Sequence, residues 1–218
     1  MLTLYYAPRS CSTASHIVLE ELGVPYQAAA VDFSSAEQRS PAFLRVNPKG
    51  KVPVLVDGQT VITENVAIQY HLALTHPEAR LWPDDHDGRV RWLSFVAWLG
   101  NSVQPDARHI TRPENYADDP STHPALQTKG RATLAKWMGT LDARMSASPW
   151  MLGDQYTTAD PYALVFAGVA ERFGVPIGGF DHLVGWVRRM LERAPVRRIL
   201  ELEDSVLLRF VPPDTVSR

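Results

Sequence analysis

The chain has 218 residues, enough for two modest domains, and its 45% hydrophobic and 21% charged content describes an ordinary globular protein rather than a disordered one. Its 22 Lys and Arg against 24 Asp and Glu leave a formal charge of −2, so no global field exists to hold a phosphate backbone or an anionic membrane, and neither nucleic acid nor membrane is expected as a partner. The longest apolar runs, such as 163–170, fall short of the ~20 residues that span a bilayer, and Met1-Leu2-Thr3-Leu4 lacks the basic start of a signal peptide. A cytoplasmic location is expected, and a lone cysteine, Cys11, that can form no internal disulfide agrees with it. The seven His residues show no two-ligand spacing, so no metal is expected.

In chain order, Leu2 to Tyr6 is an apolar, β-prone run stopped by Pro8 and reads as a strand. Ser12 to Leu22 carries Ala14, Ile17, Val18 and Leu22 at helical spacing, with Gly23 placed to end the helix. Tyr26 to Val31 resumes an extended pattern, and strand, helix and strand so closely joined imply a right-handed crossover and a parallel pair. A short helix near Ser40 to Val46 comes next. Val52 to Val56 and Gln59 to Ile62 then flank Asp57-Gly58, a pair that favours a tight antiparallel hairpin. A helix from Glu64 to Thr75 completes the order βαβαββα, which is thioredoxin-like.

From Pro77 to about Gly88 the chain turns polar and proline-bearing, as a linker does. Strand signals then nearly vanish. Val90, Leu93, Val96, Ala97 and Val103, and later Leu126, Leu134, Trp137, Met138 and Leu141, recur at helical steps. Residues 163–170 are apolar all round and predict a central buried helix, and Leu183, Trp186, Val187, Met190 and Leu191 predict a last amphipathic one. The expected division is a thioredoxin-like domain over 1–78, a linker over 79–87 and an all-α domain over 88–218. Thr157 and Asp160 form a capping-box-like pair before the buried helix, a structural device. Arg188, Arg189, Arg193, Arg197 and Arg198 read as a solvated face.

Three segments carry chemistry. Tyr5-Tyr6-Ala7-Pro8-Arg9-Ser10-Cys11-Ser12 sets a thiol at a helix start, where the positive helix end lowers a thiol pKa. Asn47-Pro48-Lys49-Gly50-Lys51-Val52-Pro53-Val54-Leu55, followed by Thr63-Glu64-Asn65, places a proline that cannot donate to a sheet ladder ahead of a helix start that favours a carboxylate. Gly153-Asp154-Gln155-Tyr156-Thr157-Thr158-Ala159-Asp160 precedes the buried helix.

In this order and at this length the segments resemble the cytosolic glutathione transferases, and most of all the bacterial beta class, across nearly the whole chain. The resemblance implies glutathione as co-substrate, a hydrophobic electrophile taken by the helical domain, and a homodimer. It implies that Val52, before a cis Pro53, pairs with the cysteinyl part of glutathione, while Glu64 and Asn65 hold its γ-glutamyl end. Arg39 and Lys51 are candidates for its glycine carboxylate. Cys11, Ser10 and Tyr6 compete to face the thiol, with Cys11 preferred; His16, rotated away on the helix, is left structural. The beta class also carries a His in its first long C-terminal helix. Here Asn101, or with slippage Gln104, falls near that place, and neither is a base. Trp98, Arg108, His109 and Tyr116 are candidate borders of the second-substrate pocket. The expected activity is conjugation by an ionised glutathione thiol, with a glutathione-dependent disulfide reductase using Cys11 and a non-catalytic binding protein as alternatives.

Overall fold

Leu2, Leu4 and Tyr6 are buried while Thr3 and Tyr5 between them are not, the alternation of a strand with one face on a core. This strand is β1 (Leu2–Tyr6), in a computed structural model that describes residues 1–211. The helix α1 (Thr13–Leu22) follows and ends at Gly23, whose φ of 64° is one that glycine adopts without steric cost. The chain returns as β2 (Tyr26–Ala30), parallel to β1 as the short crossover requires. After α2 (Pro41–Val46), capped by Ser40 accepting from Phe43 N, β3 (Val54–Asp57) and β4 (Thr60–Thr63) form the hairpin. Gly58 at its turn has φ 60°. The sheet order is β2-β1-β3-β4, with β3 antiparallel to both neighbours. α3 (Asn65–Thr75) covers it beside α1. Both hairpin strands start later than expected. Pro53 has no N–H to give, so Val52 and Pro53 fall outside a ladder that begins at Val54.

The C-terminal domain is helical: α4 (His86–Trp98), a π-helical turn (Leu99–Val103), α5 (Gln104–Thr111), α6 (His123–Met145), α7 (Ala159–Arg172), α8 (Asp181–Glu192) and α9 (Ala194–Leu202). Asp85 caps α4 by accepting from Gly88 N at 2.7 Å. The buried stripe of α4 is Trp92, Phe95 and Val96, continued by Leu99 in the π turn, a correction to the expected one, since Val90 and Leu93 are 53% and 52% exposed. The steps from Trp92 are themselves helical. The larger indole takes the core, where its Nε1 donates to Thr158 Oγ1 at 2.9 Å, and rotates Val90 and Leu93 outward. α7 is buried on all sides over most of its length, as its sequence predicts, and the apolar stripe of α8 is buried throughout.

α1 joins the two domains. One side of it lies on the sheet and α3, and the other packs against α7 and α9. Ile17 and Leu19 are fully enclosed, each side chain contributing about 1.5–3 kcal/mol by removal from water. The arginine segment is not simply a solvated face. Arg193 forks onto Glu21 at 2.7 and 2.8 Å, with its guanidinium 3.8 Å from the Tyr156 ring centre, and Arg198 reaches Glu20 at 3.1 Å. Ion pairs thus tie α1 to α9 and to the residue just before it.

Candidate functional site

The turn between β1 and α1 is built by serines. Ser12 Oγ accepts from Ala7 N at 3.0 Å and donates to Ala7 O at 3.1 Å, closing the turn on itself. Its single hydroxyl hydrogen is thereby used, so in the 2.7 Å contact between Ser10 and Ser12 hydroxyls Ser10 is the donor. Ser10 Oγ also accepts from Ser12 N at 3.1 Å. Arg9, between them and the strand, has φ 59°, uncommon for a residue with a side chain. Cys11 emerges from this turn just before α1, half-buried, with its thiol donating to Val52 O at 3.4 Å.

Cys11 lines a cleft of about 400 Å³ between the domains. On the sheet side stand Lys51, Val52, cis Pro53, Thr63, Glu64 and Asn65. The buried Asn47 shapes this rim, donating from Nδ2 to Lys51 O at 2.7 Å and accepting from Lys49 N at 3.1 Å. Glu64, at φ 77°, extends its carboxylate outward, where Lys49 Nζ donates to it at 2.6 Å and to Thr63 Oγ1 at 2.9 Å. Asn65 is buried instead. It accepts from Ser15 Oγ at 2.7 Å and donates to Cys11 O at 2.8 Å, so its amide holds the cysteine backbone rather than reaching outward.

Across the cleft the helical domain presents Gln104, Arg108 and Tyr162. Tyr162 O–H donates to Gln104 Oε1 at 3.0 Å, which fixes the amide so that its NH2 is free to serve the sulfur. Burial pushes the Cys11 thiol pKa up; the Arg108 charge, the cysteine's own N–H and the Gln104 side chain pull it back, while Glu64 opposes them. Burial likewise raises Tyr162, with further contributions from Cys11 and Glu64. A neutral tyrosine and a neutral amide therefore surround the thiol, with one guanidinium as the local positive charge.

Cys11, Lys51, Val52, Pro53, Glu64 and Asn65 thus come together. Four other candidates do not. Tyr6 points to the core face of β1, its ring 4.5 Å from that of His16, and burial followed by the Glu203 charge raises its pKa. Ser10, its hydroxyl spent on Ser12, lines a second cavity and not this cleft. Arg39 is exposed in a single helical turn, Glu37–Arg39, away from the cleft. Asn101 is exposed on the π turn. Pro105 has no N–H for the Asn101 carbonyl, and the widened turn before it shifts the register by which Gln104 and Arg108 enter the cleft. Pro105 was the available signal for that slippage. Tyr162 had no such signal, being one more large residue at the start of the apolar run of α7.

Comparison with known proteins gives matches in both halves of the chain. A family model described as glutathione S-transferase, N-terminal domain, matches residues 1–74, and one described as glutathione S-transferase, C-terminal domain, matches residues 109–194. A glutathione S-transferase of Xanthomonas campestris pv. campestris is 31% identical over 203 residues, covering 93% of this chain and 98% of its own. The chain belongs to the glutathione S-transferase family. A second member, from Escherichia coli O157:H7, is 29% identical over 205 residues, covering 93% of this chain and 98% of its own. Among solved structures, a glutathione transferase homologue from Sulfitobacter with bound glutathione superimposes with a TM-score of 0.88 at 30% identity, covering 93% of this chain and 98% of that one. A bacterial beta class glutathione S-transferase from Sphingomonas chungbukensis gives 0.81 at 28% identity, with 92% and 98% covered. The transferase fold, a four-stranded mixed sheet with helices followed by a helical domain, is shared with these neighbours throughout.

Proposed function

We propose that the interdomain cleft of this glutathione transferase binds glutathione with its sulfur beside Cys11 and delivers the ionised thiol to a hydrophobic electrophile. The carrying observation is the convergence of Cys11 with Val52, Glu64, Gln104 and Arg108 on one polar cleft. Val52 lies outside the sheet ladder, so its backbone is available to pair with the cysteinyl unit as an added strand would. The Glu64 carboxylate, now held by Lys49, suits the γ-glutamyl ammonium. Lys51 and Arg108 are the cations at hand for the glycine carboxylate. The Gln104 amide, oriented by Tyr162, and the Arg108 charge both stabilise a thiolate beside Cys11, which is the service an enzyme of this class supplies.

The working division is a glutathione-binding domain over 1–78, a linker over 79–87 and a helical domain over 88–218, of which 212–218 lie outside the described residues. Val61, Tyr70, Leu74, Val90 and Leu93, all exposed on the adjoining elements β4, α3 and α4, support a homodimer through this face. The electrophile would meet the thiolate on the helical side, where Trp98, tilted against Phe95 and edge-on to Trp137, offers aromatic surface. A cytoplasmic detoxifying role fits this chemistry.

The test is a pH titration of the thiolate absorbance of bound glutathione. Wild type is expected to ionise the bound thiol well below its solution pKa. Gln104→Ala should raise that value by about one to two units, as loss of a hydrogen bond to a charged group would, and Tyr162→Phe, which removes only the orienting contact to Gln104, by less. A bound thiol that ionises no more readily than free glutathione refutes the reading.

A further inference from the structure

Glu203 follows α9 toward the far end of the chain, yet its side chain is only 1% exposed and its carboxylate is spent on the turn that carries Cys11 and on the helix α1 that follows it. Oε2 accepts from Arg9 N at 2.8 Å and from the Thr13 hydroxyl, and Oε1 meets His16 Nδ1 at 2.8 Å. These donors bracket Cys11 on both sides. The backbone N–H of Arg9 can only donate, so the acceptor there is the carboxylate itself. Arg9 is the residue at φ 59°, and that N–H bond pins it from outside the turn, whereas the bonds of Ser10 and Ser12 are internal to it. Asp204 adds a second, exposed contact to the Arg9 guanidinium at 3.1 Å.

We propose that Glu203 is a positioning residue for the reaction: the helical domain sets the Arg9–Thr13 turn through this buried carboxylate, and thereby fixes where the Cys11 sulfur stands against Val52 and Gln104. The proposal rests on the reading that Cys11 marks the place of the glutathione sulfur. A plain interdomain tether would lower stability and leave the folded site unchanged. A positioning residue alters binding and thiol reactivity in protein that is still folded. Removing the carboxylate leaves the Arg9 N–H without an acceptor and lets the turn relax, and displacement of a reacting group by about 1 Å is enough to cost orders of magnitude in rate.

The experiment compares wild type, Glu203→Leu and Glu203→Gln by calorimetric titration with glutathione and by the rate at which iodoacetamide alkylates Cys11, the only cysteine in the chain. Measurements are made at a temperature where circular dichroism shows each variant folded. The expected result is about a tenfold weakening of glutathione binding and at least a threefold change in alkylation rate for Glu203→Leu. Glu203→Gln should recover to within about threefold of wild type, because its amide oxygen still accepts from Arg9 and Thr13. A folded Glu203→Leu with wild-type affinity and alkylation rate overturns the proposal. If that variant does not fold, Thr13→Val takes its place: a shift of about threefold or more supports the proposal, and no shift overturns it. Should wild type itself fail to bind glutathione, the reading of the cleft falls, while the alkylation rates still decide what Glu203 does to Cys11.

Discussion

Asp160, in the first turn of α7, offers a test in which a buried charge makes the protein less stable at high pH, the reverse of the usual carboxylate. It is fully buried, with Oδ1 accepting from Met151 N at 2.9 Å and Trp186 Nε1 at 3.1 Å, and Oδ2 from Thr157 N at 3.0 Å. Burial pushes its pKa from 3.8 up to about 6, outweighing the lowering by those N–H groups. The folded state therefore holds this proton more tightly than the unfolded one. The associated stability is fully present below 3.8 and is lost as the pH rises through 6. At 1.36 kcal/mol per pH unit the loss is about 3 kcal/mol. Asp160→Asn cannot titrate. It keeps an oxygen for Met151 and Trp186 but turns an NH2 toward the Thr157 N–H, a cost of about 1–3 kcal/mol. The stability gap between wild type and variant should thus widen by about 2.5 kcal/mol as the pH is lowered from about 8 to about 4. Urea unfolding followed by circular dichroism and tryptophan fluorescence at each pH measures it. A gap constant to within about 1 kcal/mol across that range would refute the assignment of Asp160 as a buried titrating group.

Other outcomes follow from the same structure. Arg193→Ala strands Glu21, whose side chain is only 6% exposed, and should cost about 2–4 kcal/mol, lowering the melting temperature by roughly 5–10 °C; an unchanged melting temperature would show the pair to be idle. Leu93→Asp, at a position 52% exposed, should convert the proposed homodimer to a folded monomer in light scattering, and a variant that stays dimeric removes this face as the interface. Lys49→Ala frees Glu64 from its exposed partner and should tighten glutathione binding by up to about fivefold at low salt; weaker binding would mean that Lys49 itself holds the ligand.

The order of strands and helices was legible because each element advertised its period: alternation in Leu2 to Tyr6, helical steps in α1 and α8, and Asp57-Gly58 at the hairpin. What periodicity could not resolve was rotation. Val90 and Leu93 share a helical step with Val96, yet the indole of Trp92, anchored on Thr158, decided which face turned inward. The sheet side of the cleft was legible only through the resemblance, which singled out Val52, Pro53, Glu64 and Asn65; by their local pattern alone they spell a sheet edge and a helix cap. The helical side was not. Gln104 and Arg108 depend on a π turn set by Pro105, and Tyr162 arrives from a helix whose composition speaks only of burial. Which of Cys11, Ser10 and Tyr6 lines the cleft also needed three dimensions: Tyr6 turns to the core beside His16, and the Ser10 hydroxyl is engaged by Ser12.

The shared packing of α1 limits how far the two halves can be treated as interchangeable modules. Its sequence must satisfy the sheet and α3 on one side while matching α7, α9 and the carboxylates and guanidiniums of the C-terminal segment on the other. A chimera that joins residues 1–78 to the helical half of a distant relative would leave Glu20, Glu21 and His16 facing the wrong chemistry. The recombination history of such a protein is therefore expected to run through paired changes across this helix rather than through exchange of whole domains.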